Sequence, residues 1–171
     1  RREEVARRMF LLRFGDDVDV EGHTVKTLMG MEGHRVKELY AQMGAKHGVT
    51  WKGRNYNPRN WTLSDSINRA VSAANAALYA LTTAIVCSMG YLPQLGFIHS
   101  AGTIPFVFDI ADIYKPETTL EAAFETMAIN PEANEKDVIT RLKFHIEDRK
   151  ILRRIPRDIE RLLDYKNTTK A

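Results

Sequence analysis

The stretch DSINRAVSAANAALYALTTAIVCSMG, residues 65–90, combines small and apolar residues in a long run without an internal proline. Ser64 or Asp65 can cap the start of a helix here, and Gly90 is the kind of residue that ends one. The run falls short of the roughly 18 consecutive apolar residues that span a bilayer, because polar residues interrupt it at Ser72, Asn75, Thr82 and Thr83. Its alanines allow close helix packing. We therefore predict a buried helix at the centre of a helical bundle.

Outward from this stretch, the apolar residues recur at helical spacing in both directions. We predict further helices over residues 3–14, 24–47, 103–116, 118–129, 134–151 and 156–165, and a loop over 51–61. Pro116 is expected to close one helix, Thr118 or Thr119 to cap the next, and Pro156 to start the last. The predicted fold class is all-α, a single helical domain over residues 1–171 with a fraying tail at 167–171.

Two glycines, Gly30 and Gly33, lie inside the predicted 24–47 helix. Each costs about 1 kcal/mol relative to alanine in a helix interior. We therefore expect a neighbouring helix or a ligand to approach the backbone at this point.

The composition is that of an ordinary globular protein, with 171 residues of which 44% are hydrophobic and 27% charged. A formal net charge of +3 permits binding to nucleic acid without requiring it. The single cysteine, Cys87, cannot form an internal disulfide, which is typical of a reducing cytosol. We accordingly expect a cytoplasmic protein.

The stretch GFIHSAGTIPFVFDIADIYKP, residues 96–116, places Asp109 and Asp112 three residues apart in an apolar run. Residues at this spacing share one face of a helix. A carboxylate without a partner is costly to bury on such a face. A cation, an arginine partner or a proton would each remove the cost. His99 lies ten residues before Asp109, across a turn short enough to fold it back over the helix start.

Carboxylates together with one imidazole suit a divalent ion such as Mg²⁺ or Mn²⁺. The best candidate for a further acidic ligand is Glu32 in GMEGHRVK, residues 30–37, because the glycines on both sides of Glu32 leave room around its carboxylate. The alternative is an ordinary exposed acidic pair beside a lysine such as Lys115. Spacing alone leaves both interpretations open.

Two segments, MEGHRVKELYAQMGAKHGVTWKGRNYNPRNW at 31–61 and LGFIHSAGTIPFVFDIADIYKP at 95–116, closely resemble a known family. They are similar to the catalytic helical domain of the CRISPR-associated integrases, the "Cas-one" family of spacer acquisition, in its type I-E branch. The similarity extends from about residue 8 to about residue 163. Its Glu-Gly-x-Arg-Val, Gly-Phe-x-His and Phe-Val-x-Asp-Ile-Ala-Asp segments occur in that order.

The resemblance implies a metal-dependent DNA integrase with endonuclease activity in antiviral defence. It places the ligands of a Mg²⁺ or Mn²⁺ ion on Glu32, His99 and Asp112, and a further acidic residue needed for activity on Asp109. The expected reaction joins the 3′ hydroxyl of a captured DNA fragment to the CRISPR repeat by transesterification. Water in the place of that hydroxyl gives endonuclease activity.

The resemblance also implies contacts to DNA. Tyr56, Trp61 and Tyr79 fall on positions near the active centre of similar proteins, and Arg35 and Arg54 are expected to contact phosphates. The implied partners are the captured DNA fragment, the repeat, and a small companion adaptation protein of the ferredoxin-like type, with a homodimer in the full-length protein.

This sequence departs from the family pattern in two respects. Family members begin with a β-sandwich domain, so we expect this chain to correspond to the C-terminal catalytic domain. Similar type I-E proteins also carry a lysine in the turn that reads HSAGTIP here, residues 99–105.

Two rival interpretations follow from the residues. The first is a non-catalytic helical module that binds DNA or a protein and keeps its acidic residues as structural ion pairs. The second, a carboxylate-bridged di-iron bundle, requires paired Glu-x-x-His motifs, which the sequence lacks.

Overall fold

The computed structural model describes residues 1–55 and 64–164, and its regular structure over those residues is helical. The predicted all-α fold class is therefore confirmed. The α-helices of this part are α1 (Arg2–Phe14), α2 (Val25–His47), α3 (Ser66–Ser88), α4 (Pro105–Tyr114), α5 (Glu121–Ile129), α6 (Glu135–Asp148) and α7 (Ile151–Leu163). A 3₁₀ turn, Gly15–Asp17, follows α1, and a π-helical turn, Pro116–Leu120, joins α4 to α5.

Helix α3 forms the centre of the bundle, as predicted from its alanines. It contacts α4, α5, α6 and α7. Asp65 is its N-cap, and the Asp65 carboxylate accepts a hydrogen bond of 2.9 Å from the backbone N–H of Asn68. By length and composition this helix could cross a membrane. Its neighbours in the bundle instead account for its apolar residues Val71, Leu78 and Val86, which lie on its one broad buried face.

Two hydrophobic cores lie against this central helix. The first packs α1, α4 and α7 together, and its largest fully buried side chains include Phe10, Phe106, Tyr114 and Ile155. The second packs the N-terminal half of α3 against α5 and α6, around Phe124, Leu142 and Val71. Helix α4, which carries the two aspartates, belongs to the first core and packs against α1, α3 and α7.

The junction after α4 differs from the sequence prediction. Pro116 begins a π-helical turn instead of closing the segment, and the turn continues directly into α5. Thr118 and Thr119 are fully buried and cap nothing: their hydroxyls donate to the carbonyl of Tyr114 at 2.6 Å and to Oδ1 of Asn75 at 2.7 Å. The prediction of a break here was wrong, because the backbone stays helical past Pro116: the N–H of Leu120 donates to the carbonyl of Lys115 at 3.1 Å, five residues earlier, as in a π-helical turn.

The last helix also begins earlier than predicted. Pro156 lies inside α7, which starts at Ile151 after Lys150 takes up a positive φ of 54°. Ile151, Ile155 and Ile159 are fully buried along one face of this helix. Burial of such a stripe outweighs the one backbone hydrogen bond that proline removes.

The expectation of a neighbouring helix at Gly30 and Gly33 was wrong. A Cβ atom built on either glycine would meet no atom of residues 1–55 and 64–164 within 4 Å. Both glycines are exposed on α2. Gly33 lines the cavity described in the next subsection, so the approach of a ligand at this point stays a prediction.

Glu121, at the start of α5, fastens the C-terminal end of α2. Its carboxylate lies 2.5 Å from Nζ of Lys46 and 3.0 Å from Nε2 of His47. Burial would raise the pKa of Glu121, but the hydrogen bonds from Lys46 and His47 outweigh burial and the pKa is lowered. At pH values above 4.5, the ordinary pKa of the carboxyl, ionised Glu121 therefore stabilises the folded state. This stabilisation is lost as the pH falls through the lowered pKa of the folded protein.

We predict that Glu121→Gln lowers the free energy of unfolding by about 1–2 kcal/mol at pH 7. The deficit should shrink as the pH is lowered to about 3, because the wild-type carboxyl loses its charge at pH values below its lowered pKa. Urea unfolding of both proteins at the two pH values measures the effect. Glu132→Gln, at an exposed position, is the control and should change neither value. A deficit that stays constant with pH would contradict the prediction.

Candidate metal and DNA site

Three segments that are distant in the sequence converge at one cavity of about 400 Å³. Glu32 comes from α2, His99 from the loop before α4, and Asp112 from α4 itself. No group of three acidic, His or Cys side chains within residues 1–55 and 64–164 already has the geometry of a metal site. The structure thus brings the predicted donors to one place, and their role as ligands stays a prediction.

Asp109 supports the site from behind. Its side chain is fully buried and accepts hydrogen bonds from the backbone N–H groups of Phe97 at 2.6 Å, Ile98 at 3.1 Å and His99 at 2.9 Å. It also accepts one from Nδ1 of the His99 ring at 2.7 Å. This single carboxylate therefore holds both the 97–99 loop and the His99 ring in place.

The orientation of His99 follows from that contact. A carboxylate can only accept hydrogen bonds, so Nδ1 carries the proton and Nε2 is left to face Asp112. The distance from Nε2 to Oδ2 of Asp112 is 3.7 Å. The hydrogen bond to Asp109 raises the pKa of His99 against the opposing effect of burial, and the charge of Asp112 raises it further. Both aspartates therefore act on the same ring, as their shared helix face predicted.

A buried arginine, which the sequence analysis did not single out, lies between the acidic groups. Arg13 is 4% exposed, and its guanidinium forms an ion pair with Glu32. It also donates a hydrogen bond of 2.7 Å to the carbonyl of Asp109 and lies 3.9 Å from Oδ2 of Asp112. The signal was available: Arg13 continues, at four-residue spacing, the buried stripe of Val5 and Met9.

Lys115 provides the second positive charge at the site. Its Nζ lies 2.5 Å from Oδ1 of Asp112 and 4.8 Å from the centroid of the Tyr79 ring. Burial would lower the pKa of Lys115, but the charges of Asp112 and Tyr79 and the hydrogen bonds to them together outweigh burial, and the pKa is raised. Asp112 is therefore paired with a lysine, as the alternative interpretation of the sequence expected, but the acidic pair is not exposed, because Asp109 is fully buried.

A second cavity, of about 640 Å³, lies on the other side of Asp112 and shares His99 and Lys115 with the first. Tyr79 and Arg54 line it. The Arg54 guanidinium donates to Oδ1 of Asn68 at 2.8 Å and to Oγ of Ser72 at 2.7 Å, which holds it against α3.

The other expected DNA contacts are distributed as follows. Arg35 lines the first cavity, and its guanidinium lies 5.5 Å from the centroid of the Phe14 ring. Tyr56 and Trp61 lie outside the described residues. The expected contacts of all five side chains with DNA stay predictions.

The donor set suits a divalent cation. Glu32 and Asp112 offer carboxylate oxygens, and His99 offers a ring nitrogen whose partner nitrogen is fixed by a carboxylate. That arrangement is typical of metal-binding histidines. A hard or borderline ion such as Mg²⁺ or Mn²⁺ prefers this chemistry.

Comparisons with known proteins find one family to which the chain is similar. The family model of the CRISPR associated protein Cas1 matches residues 11–157. The chain is 41% identical over 162 residues to a CRISPR-associated endonuclease Cas1 of Methanospirillum hungatei, covering 95% of the chain and 54% of that protein. It is 42% identical over 137 residues to the CRISPR-associated endonuclease Cas1 of Escherichia coli, covering 80% of the chain and 45% of that protein. The chain thus spans about half the length of these relatives.

Among solved structures, the fold matches a crystal structure of a TtCas1–DNA complex with a TM-score of 0.87 and 39% identity. This match covers 94% of the chain and 59% of that protein chain. A crystal structure of TtCas1 matches with a TM-score of 0.85 and 36% identity, covering 99% of the chain and 62% of the other.

Proposed function

Because the chain belongs to the CRISPR-associated Cas1 family, we propose that it is a metal-dependent DNA endonuclease and integrase of CRISPR spacer acquisition. Its relatives are named as Cas1 endonucleases, and a structural neighbour was solved with DNA. The substrates are a captured DNA fragment with a 3′ hydroxyl end and the CRISPR repeat. The partners are the small companion adaptation protein and a second copy of the full-length protein, in the prokaryotic cytoplasm.

The observation that carries the proposal is the convergence of Glu32, His99 and Asp112 on one cavity. The three residues come from three separate segments, so helical periodicity alone does not explain why they meet. The fixed orientation of His99, with Nε2 turned towards Asp112, adds a prepared nitrogen donor. These residues would hold Mg²⁺ or Mn²⁺.

When bound, the cation would neutralise charge on the attacked phosphate and on the leaving 3′ oxygen. In the transfer reaction, the 3′ hydroxyl of the fragment gives its proton to solvent and forms a bond to a phosphorus of the repeat. The existing bond from that phosphorus to a 3′ oxygen breaks, and the released oxygen takes up a proton from solvent. Water in place of the hydroxyl gives cleavage. No side chain has to form a covalent intermediate.

The protein side chains would contribute binding and orientation. Asp109 keeps the ring of His99 in one orientation by holding its Nδ1. Lys115 and Arg54 line the second cavity, and Arg35 lines the first, so cationic groups flank the site on both sides. Phosphate contacts from such groups supply most of the affinity for DNA and make it dependent on salt.

The test is integration of a labelled DNA fragment into supercoiled plasmid carrying the repeat, with Mg²⁺ or Mn²⁺. The reaction is run with and without the companion protein. We expect transfer of the label to the plasmid, its loss in EDTA, and a shift towards cleavage when the fragment lacks its 3′ hydroxyl. Metal-independent transfer would reject the proposed chemistry.

The ion pairs of Asp112 with Lys115 and of Glu32 with Arg13 favour a second candidate. In that case the chain is a non-catalytic helical module that binds DNA or a protein. The two candidates differ in whether a cation binds the acidic residues.

Mn²⁺ is predicted to raise the melting temperature of the chain. At one hundred times its Kd, a ligand that binds only the folded state adds about 2.7 kcal/mol, which corresponds to roughly 5–10 °C for a chain of this size. Differential scanning calorimetry with and without Mn²⁺ measures the shift. Glu32→Gln should remove most of it, and Glu132→Gln should leave it intact. A wild-type protein without any shift would favour the non-catalytic module.

A further inference from the structure

We propose that Arg13 is a positioning residue that holds Glu32 and Asp112 together without a cation and gives up part of this contact when a divalent cation binds. The proposal rests on the proposed function, because it takes Glu32, His99 and Asp112 as the donors of the cation.

The hydrogen bonds and ion pairs of Arg13 with the described residues all go to the site. One guanidinium nitrogen pairs with Glu32 of α2, and another donates to the carbonyl of Asp109 in α4. The same second nitrogen is 3.9 Å from Oδ2 of Asp112, beyond hydrogen-bond distance. Arg13 therefore bridges α2 and α4 from its position on α1, with a firm contact to Glu32 and a looser one to Asp112.

The surroundings of Arg13 offer little else to compensate its buried charge. Its stripe on α1 is otherwise apolar, and its Nε has no hydrogen-bond partner among residues 1–55 and 64–164. The ring of Phe10 lies 5.8 Å from the guanidinium carbon. A buried cation is costly unless anions pair with it. The two carboxylates of the site are thus the reason that this arginine can be buried.

The balance of charges predicts competition with a metal ion. Glu32 and Asp112 place two carboxylates at the cavity, and Arg13 and Lys115 are the cations paired with them. A divalent cation between the same carboxylates would repel the guanidinium, because like charges at short range oppose each other. Arg13 should therefore keep the donors close together in the free protein and weaken the binding of the cation.

The first experiment compares melting temperatures in EDTA for wild type, Glu32→Gln, Arg13→Met and the double variant. If Arg13 compensates the carboxylates, Glu32→Gln lowers the melting temperature of wild type. In the Arg13→Met background, Glu32→Gln instead raises the melting temperature, because it removes a negative charge whose cationic partner is gone. We expect shifts of about 3 °C in opposite directions. Shifts of the same sign would overturn the proposal.

The second experiment measures the Kd for Mn²⁺ by electron paramagnetic resonance. Arg13→Met should bind Mn²⁺ about tenfold more tightly than wild type. The matched control is Arg154→Met, which removes an arginine bonded to Glu117 at 2.7 and 3.0 Å, remote from these donors in the sequence. The control should lose stability equally with and without Mn²⁺ and keep the wild-type Kd. An unchanged or weaker affinity in Arg13→Met would overturn the competition.

The outcomes separate this proposal from the proposed function. If neither wild type nor Arg13→Met binds Mn²⁺, the cation site is rejected together with the competition, whereas opposite shifts in EDTA still support the holding role.

If Arg13→Met does not fold, Arg13→Lys replaces it. Lysine keeps the charge, but its ammonium group lacks the planar fork by which the guanidinium contacts both α2 and α4. Glu32→Gln should then lower the melting temperature less than in wild type, and an equal loss would overturn the holding role.

Discussion

The Asp112→Asn variant is expected to remain folded and to lose strand transfer and Mn²⁺-dependent cleavage by about 10²–10⁴-fold. The loss of a proposed ligand removes several kcal/mol of charge stabilisation from the transition state, and each 1.36 kcal/mol is about tenfold in rate. Asparagine keeps the shape of the side chain but not its charge. Labelled-fragment integration and plasmid cleavage, run side by side, measure the two activities.

Stability separates a role of Asp112 in chemistry from a role in folding. The Asp112 side chain is 20% exposed, and its closest partner is Lys115. We therefore expect the melting temperature of Asp112→Asn to lie no more than about 3 °C below that of wild type. The Glu132→Gln control should retain full activity. Strand transfer at the wild-type rate by Asp112→Asn would reject the site.

The same substitution at Asp109, three residues earlier, should differ from Asp112→Asn by a large loss of stability. Asp109→Asn is expected to lower the free energy of unfolding by about 2–4 kcal/mol, whereas Asp112→Asn should have a small effect. Asp109 accepts from three backbone N–H groups, of Phe97, Ile98 and His99, and from the His99 ring. An amide presents one NH₂ group to these donors, which leaves buried N–H groups without an acceptor.

The loss should appear as a drop in melting temperature of roughly 5–15 °C, together with reduced activity because the His99 ring is no longer held. Urea unfolding and the integration assay test both parts. The pair Asp109→Asn and Asp112→Asn is chemically matched, so any difference reflects position alone. Equal stability of the two variants would contradict the assignment of Asp109 as the support and Asp112 as the donor.

Much of the candidate site could be predicted from the sequence. Local spacing predicted His99, Asp109 and Asp112 as site residues, and the flanking glycines and the family resemblance predicted Glu32. Spacing also predicted that the two aspartates share a face, and both contact the His99 ring. Local spacing could not tell which of the two faces the cavity, because that depends on where the 97–99 loop packs.

Arg13 was missed because it lies 19 residues before Glu32 in the sequence and its partners lie on other helices. In the sequence it is one of several arginines on a terminal helix. Only the position of Arg13 in the buried stripe of α1 distinguishes it from the other arginines. That stripe is identified once the structure shows which side of α1 faces the core.

The sequence by itself determined the helices, the central place of α3 and the residue types of the donor set, since helical periodicity, capping and burial depend on residues within a few turns of each other. The tertiary structure alone decided that Arg13 bridges α2 and α4, that Asp109 supports the loop while Asp112 faces the cavity, and that the chain passes Pro116 and Pro156 without a break. These features depend on the packing of segments far apart in the chain. The gain in buried surface and paired charge there exceeds the local preference of any single residue.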